Sequence, residues 1–575
     1  MASIRLVIGL SIVASASCGK DVEPQAPSPP LAPENRAPPP PPQPPAPRAA
    51  VVADTCSATW PSYWQDPAPA FAAMWTGQKI SDAPAPGWSG PVFRLSDRFP
   101  RTPQDDRGAQ PWRDPKFDAL FVPGTSMSQR AELADRYIWA VMRYIQEGNV
   151  GNGDLADDWT LCNNKVRNWY HIPFQTYDAL SGREFVHGLT REAPVTFSMK
   201  SSAVPSKPST FKSSMWAVGF YNPTAAYALG SVWQSDGRAK PPAANLSFGE
   251  GAVIGKLLFN TLTPTALPFL ANMPAWQANV SATSFCSCKA AKGATCTMIE
   301  ESVQCPRSLT TAPDGKVRLM QFDVAIKDHR APGTQWVFGT FVADGQRKAG
   351  EPNPWLRISP LGLMWGNDPP PEGVVAAASP SNPRTNGFKS EVIFWDTVDM
   401  LNASGGLAAQ SPGHLGCNSR LNGPADNASS SCMSCHMTAS VLDANNATPP
   451  IMAQFASPGI THECVTPSSN PATGTDAGGA SASVVNDVSF SAMDQIYFAD
   501  TGASQSVNMT AATTKGPVNV LGAGVPTYAD GHAGWVSLDF SLQLSISLVQ
   551  WTEWQGDQAQ EPGTPRVFAS RLPAR

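Results

Sequence analysis

The sequence predicts a mainly β fold with some α, an α+β protein built on a loop-rich antiparallel sheet or sandwich core. Three observations predict it. Only 15% of the residues are charged, whereas Pro (57) and Gly (45) are abundant, so turns are frequent and the long charged faces of a helical bundle are missing. Apolar, β-prone runs of strand length recur between Pro, Gly and Asn turns. The 18 Trp suit a large buried core, and 575 residues suffice for two or three domains or one elaborate one. No internal repeat is visible.

In chain order, residues 1–18 read as an export signal. Arg5 provides a short basic region, Leu6 to Ala14 an apolar run too short to span a membrane, and Ser15-Ala16-Ser17 a small-residue end. Cys18 then stands where a bacterial lipobox places its lipidated Cys, although Ser15 occupies the position usually held by Leu. Cleavage after Ala14-Ser15-Ala16 is the alternative. Either way the chain is expected outside the cytoplasm, in the periplasm or on the outer membrane or cell surface. Residues 19–50 form a Pro-rich linker, with the run Pro38 to Pro42 typical of an extended polyproline spacer that holds a body away from an anchor.

Residues 51–210 are turn-rich with one helix. That helix is expected over 128–147, capped by Ser126 or Ser128 and ended by Gly148, with Leu133, Tyr137, Ala140, Val141 and Tyr144 on one face. Asn149 to Asp158 lacks the pattern of a calcium loop and reads as a solvated loop. Residues 211–375 are β-rich, with strands expected at Trp216 to Tyr221, Ala252 to Phe259, Val317 to Ile326 and Gln335 to Val342. Residues 376–575 close the chain. There Leu538, Phe540, Leu542, Leu544, Ile546 and Leu548 alternate strictly with polar residues, which predicts a long C-terminal strand returning to the central sheet.

The chemistry-bearing motif lies in that last region. Cys432-Met433-Ser434-Cys435-His436 reads C-x-x-C-H, the attachment signature of a c-type haem. Two thiols at this spacing reach the two vinyl groups on one porphyrin edge, and the next His is carried to the iron as axial ligand, which helps to set the redox potential. A thioredoxin-type pair expects a βαβ setting, but the preceding Leu421 to Ser431 is a polar turn region. A zinc site needs a second matching pair, and the nearest close pair, Cys286-Ser287-Cys288, has different spacing. One covalent haem c, held by Cys432, Cys435 and His436, is the expectation, in a segment inserted near the C-terminal part. For the opposite axial position Met452 is favoured, with His462, Met493 and His414 as alternatives and an open site also allowed. His171 and His187 read first as structural histidines and second as groups near the haem.

Of 11 Cys, one is assigned to lipid and two to haem. The even remainder fits disulfides in an oxidising compartment: Cys286 and Cys288 each with Cys296 or Cys305, Cys417 with Cys464, and Cys56 with Cys162. The net charge is only −5 and no basic stripe exists, so nucleic acid is not an expected partner. G-x-S-x-G, H-E-x-x-H and phosphate-binding Gly loops are all missing from the sequence.

The stretch Arg420 to His436, with the phrases Gly182 to Glu192, Val337 to Phe341 and Gly362 to Asp368, resembles a group of large, single-haem, exported bacterial proteins of the cytochrome c family. That resemblance implies haem binding at Cys432, Cys435 and His436 and electron transfer with an unknown redox partner, and it carries no substrate. A haem-dependent oxidase or peroxidase-like enzyme, and a β-rich surface binding protein with a structural or sensory haem, are the alternatives.

Overall fold

The computed structural model describes residues 93, 95–149, 164, 166–175, 215–234, 236–242, 246–281, 309–332, 334–366, 390–403, 415, 420–426, 431–436, 439–442 and 535–558, together with short strands at 177–178, 182–183, 190–191, 195–200, 208–213, 286–288, 296–298, 509–513 and 516–520. The chain divides into Met1–Ala46 and Pro47–Arg575, and all described residues belong to the second unit. The export signal, the Pro-rich linker and Cys18 lie outside the described residues.

An antiparallel sheet organises this unit. Its strands in chain order are β1 (Thr190–Arg191), β2 (Met215–Tyr221), β3 (Val253–Asn260), β4 (Ala275–Ser281), β5 (Leu309–Lys327), β6 (Trp336–Ala343), β7 (Ile358–Met364) and β8 (Glu391–Ile393). In space they run β8-β7-β6-β5-β3-β2-β1, and β4 pairs with the first half of β5. All these pairings are antiparallel. The four strands expected from apolar runs are therefore β2, β3, β5 and β6. The other described strands form two-stranded pairs, so the core is a single open sheet and not a sandwich of two large ones.

Each face of the sheet follows from residue alternation along β5 and β6. Phe322, Val324 and Ile326 point to one side, toward helix α1 (Met127–Gln146). A Cβ on Gly339 would lie 2.8 Å from Ile138 Cδ1 and 3.1 Å from Val324 Cγ2, which shows how closely α1 approaches β6 there. Trp139 meets Phe341 edge-on at 4.9 Å between ring centres. Helix α1 begins at Ser126, whose side chain accepts from the Gln129 amide at 3.3 Å, and Gly148 beyond its end takes φ +78°. The expected face is the buried one: Leu133, Tyr137, Ala140, Val141 and Tyr144 are all in the core.

The other side of the sheet carries Gln321, Asp323, Ala325 and Lys327 on β5. Their cross-strand partners on β6 are Val342, Thr340, Phe338 and Trp336, and those of Asp323 and Ala325 on β3 are Lys256 and Ile254. A polar stripe on a central strand is costly unless every member is paired, and here it receives the segments around the C-x-x-C-H motif.

The next described α-helices in chain order are α2 (Pro223–Val232), α3 (Trp395–Ala403) and the single-turn α4 (Cys432–His436). Helix α2 escaped the sequence reading although its start is legible, since Asn222 caps it with a 2.9 Å bond from the Ala225 amide and Pro223 occupies its first turn. After α4, β9 (Ser440–Leu442) pairs antiparallel with β10 (Trp535–Ser537), which lies far along the chain.

The predicted C-terminal strand is corrected. Only Ser537 lies in a strand, at the end of β10; Leu538 to Ser541 make a turn, and from Leu542 the chain is helix α5 (Leu542–Gln558). Asp539 and Phe540 take left-handed φ values of +50° and +64°, which end the extended chain. Beyond them Leu544 and Leu548 stand one helical turn apart and are buried, and every second alternating position also satisfies an i, i+4 spacing. Ser545 and Ser547 are buried too, with the Ser547 hydroxyl bonded to the Leu544 carbonyl at 2.9 Å. Among the described residues no helix is long and apolar enough to cross a membrane.

Candidate functional site

The chain reaches the polar side of the sheet at Arg420. That side chain is wholly buried and lies 3.8 Å from the Glu391 carboxylate on β8, which also accepts from the Leu421 amide at 3.2 Å. Leu421 packs on Gly362 of β7, where a Cβ would meet Leu421 Cδ1 at 2.7 Å. Gly423 lies on the Gln321 side chain, where a Cβ would come within 2.2 Å of Oε1. Gln321 then accepts from the Ala425 amide (2.9 Å) and donates to Asp426 (2.9 Å). The chain returns at the Cys432 amide, which donates to the Leu421 carbonyl at 3.1 Å, and α4 begins.

Helix α4 sets His436 above β6. Its imidazole packs against Phe338 with ring centres 4.3 Å apart and planes at 39°. Its Nδ1 is 2.8 Å from the Phe540 carbonyl. A carbonyl only accepts, so Nδ1 carries the proton and Nε2 keeps its lone pair. Desolvation drives the His436 pKa down to about 4 and Lys256 adds to this, while the bond to Phe540 works the other way. A neutral imidazole whose Nδ1–H is held by a carbonyl leaves the Nε2 lone pair able to serve as a metal donor.

Around His436 is a cavity of about 130 Å³. Ile254, Trp336, Phe338, Phe540 and Leu542 supply apolar wall, Cys432 and His436 one end, and Lys256, Asp323 and Asp426 a polar side. The donor set fits a c-type haem: a half-buried Cys432, Cys435 on the same turn, and an oriented His.

Asp323 is a strongly perturbed group of this wall. Gln321 Nε2 donates to its two oxygens at 2.8 and 2.9 Å and to Asp426 at 2.9 Å, while Thr340 donates at 3.0 Å. Burial, reinforced by the Asp426 charge, lifts the Asp323 carboxyl well above the usual range, against Lys256 and these hydrogen bonds. A raised folded pKa stabilises fully below the unfolded value near 3.8 and loses that contribution as pH rises through neutrality. Asp323→Asn is therefore expected to gain stability relative to the parent chain as pH increases from 4 toward 8, with a slope no steeper than about 1.4 kcal/mol per pH unit. Urea denaturation across that range checks it, and a difference that stays flat or falls contradicts it.

On the opposite flank of His436, Lys327 Nζ is 2.8 and 2.9 Å from the Asp539 oxygens, both residues being buried. Asp539 also accepts from Trp336 Nε1 at 3.1 Å and from the Phe248 amide at 2.8 Å. Gln321 thus docks the chain before the motif, and Lys327 the chain that supplies the Phe540 carbonyl. Sequence reading missed Gln321, Asp323, Lys327 and Asp539. Part of the signal was available: Gln321 and Asp323 stand two apart within the apolar run Val317 to Ile326 and Lys327 follows it on the same face, whereas Asp539 carried none.

Of the sequence-predicted site residues, the structure brings Cys432 and His436 to one cavity and places Cys435 on the same helical turn. Met452 lies outside the described residues, as do His187, His414, His462 and Met493 and the pairs Cys56/Cys162 and Cys417/Cys464. His171 is wholly buried, is not among the residues lining this cavity, and is held neutral by desolvation that lowers its pKa to about 3. Cys288 and Cys296 stand opposite each other in a short antiparallel hairpin. A separate grouping of Glu250, Asp328 and His329 has potential ligand atoms within 4.8 Å of one another. Its carboxylates already pair with Arg113, His329 and Arg330 and with the Tyr137 hydroxyl, which makes it a charge-paired clamp. Compared with known protein families, with curated proteins and with solved structures, the chain matches none.

Proposed function

We propose that this protein is an exported c-type cytochrome that binds one covalent haem and transfers electrons. The observation that carries the reading is the His436 imidazole, oriented through Nδ1 by the Phe540 carbonyl on a C-x-x-C-H turn above an aromatic-walled cavity. A metal-ligating His usually donates its other ring N–H to a carboxylate, a backbone carbonyl or water, as Nδ1 of His436 does to the Phe540 carbonyl. Cys432 and Cys435 would hold the haem by thioethers, His436 and Met452 would be its iron ligands, and the bound haem would supply one-electron redox chemistry. The export-signal reading of residues 1–18 and Cys18 supports a location outside the cytoplasm, anchored by lipid or released, with the Pro-rich linker as spacer. A Cys288–Cys296 disulfide in the oxidising compartment agrees with the hairpin register.

A haem-dependent oxidoreductase is the second reading, favoured by the polar wall of Lys256, Asp323 and Asp426 on the same cavity. The two differ in the opposite axial position. Protein matured in a haem-attaching host is expected to give a low-spin c-type absorption spectrum that carbon monoxide leaves unchanged. A high-spin spectrum that shifts with carbon monoxide would favour the enzyme, and a protein without haem absorbance would rule out both.

A further inference from the structure

We infer that Asp539 is the positioning residue for His436: clamped by Lys327, Trp336 and the Phe248 amide, it fixes the left-handed turn whose Phe540 carbonyl holds Nδ1. This rests on the reading of His436 as the iron ligand.

The turn is costly on its own. Two consecutive non-glycine residues, Asp539 at φ +50° and Phe540 at φ +64°, occupy a region that side chains disfavour. Such a conformation persists only where its surroundings over-determine it. Here three donors do so, converging on one buried carboxylate: Lys327 Nζ on both oxygens, Trp336 Nε1 on Oδ1 and the Phe248 amide on Oδ2. Lys327 and Trp336 are cross-strand partners on β5 and β6, so two donors come from adjacent points of one rigid sheet. The third comes from the segment before β3. Phe338, two residues after Trp336 on the same face, is the ring on which the imidazole rests. Both contacts that orient His436 are thus referred to the same stretch of β6, one directly and one through Asp539.

The consequence is chemical. A fixed Nδ1–H donor bond selects one tautomer and raises the basicity of Nε2, which favours the oxidised iron and lowers the reduction potential. Once the clamp is loosened the turn can relax, the carbonyl withdraws, and both effects diminish.

The test uses the full chain with and without haem. Lys327→Met with Asp539→Asn removes both charges together, so no buried ion is left alone, and Trp336→Phe removes only one donor. In the haem-free protein, nitrogen NMR of the His436 ring is expected to show a single Nδ1–H tautomer in the parent chain and a mixture in the double variant, with Trp336→Phe in between. In the haem-loaded protein the midpoint potential is expected to rise in the same order, haem content per chain being the control. Unchanged tautomer and potential in folded variants would overturn the inference, and if the double variant does not fold Trp336→Phe alone decides. A parent chain that never acquires covalent haem defeats the cytochrome reading instead, and the tautomer measurement still reports on the clamp.

Discussion

Replacing Cys432 and Cys435 together by Ala is expected to abolish covalent haem, from one per chain to none, with the sheet intact. The thioethers are the only covalent bonds the motif offers, so a haem bound through His436 alone is lost on denaturation. The fold survives because strands β1 to β8 span Thr190 to Ile393 and form the sheet before the motif is reached. Arg420, Leu421 and Gln321 dock the preceding segment independently of either thiol. Haem staining after denaturing electrophoresis, with circular dichroism of the same sample, checks both halves. Haem that remains covalently attached in the double variant would remove Cys432 and Cys435 from the site.

The second large effect is on stability. Lys327→Met leaves the Asp539 carboxylate buried with two neutral donors, Trp336 Nε1 and the Phe248 amide, and without its counter-charge. Breaking a buried ion pair from one side costs about 3–5 kcal/mol, because the remaining ion is uncompensated. Lys327→Met with Asp539→Asn is expected to recover much of that loss, since replacing both charges is far less costly than stranding one. Urea midpoints at neutral pH measure both variants. A single substitution costing under about 1 kcal/mol would mean that the pair behaves as an exposed surface bridge.

How far the sequence discloses this molecule depends on which physical signal each part uses. Strands β2, β3, β5 and β6 are long apolar runs, and α1 is a capped amphipathic helix, so local pattern suffices for them. Residues 537–548 mislead because alternating Leu and Ser satisfies period two and, through Leu544 and Leu548, the helical i, i+4 spacing as well. The choice falls to the Asp539–Phe540 turn, which depends on Lys327 more than 200 positions earlier in the chain. The C-x-x-C-H motif Cys432 to His436 is legible because it is short and contiguous in the chain. Its supporting residues are not, because Gln321, Asp323, Lys327 and Asp539 are joined only by the register of β5 with β6 and by the segments docked upon it. A polar stripe along an otherwise apolar strand is the one trace that they leave in the sequence.

The most direct measurement is the mass of the proteolytic peptide containing Cys432 to His436, taken from protein matured in a haem-attaching host and denatured in acid. Attachment through two thioethers predicts that peptide with the added mass of one haem and no alkylatable thiol at Cys432 or Cys435. The same peptide at its unmodified mass, with both thiols open to alkylation, would contradict the assignment of this protein as a c-type cytochrome.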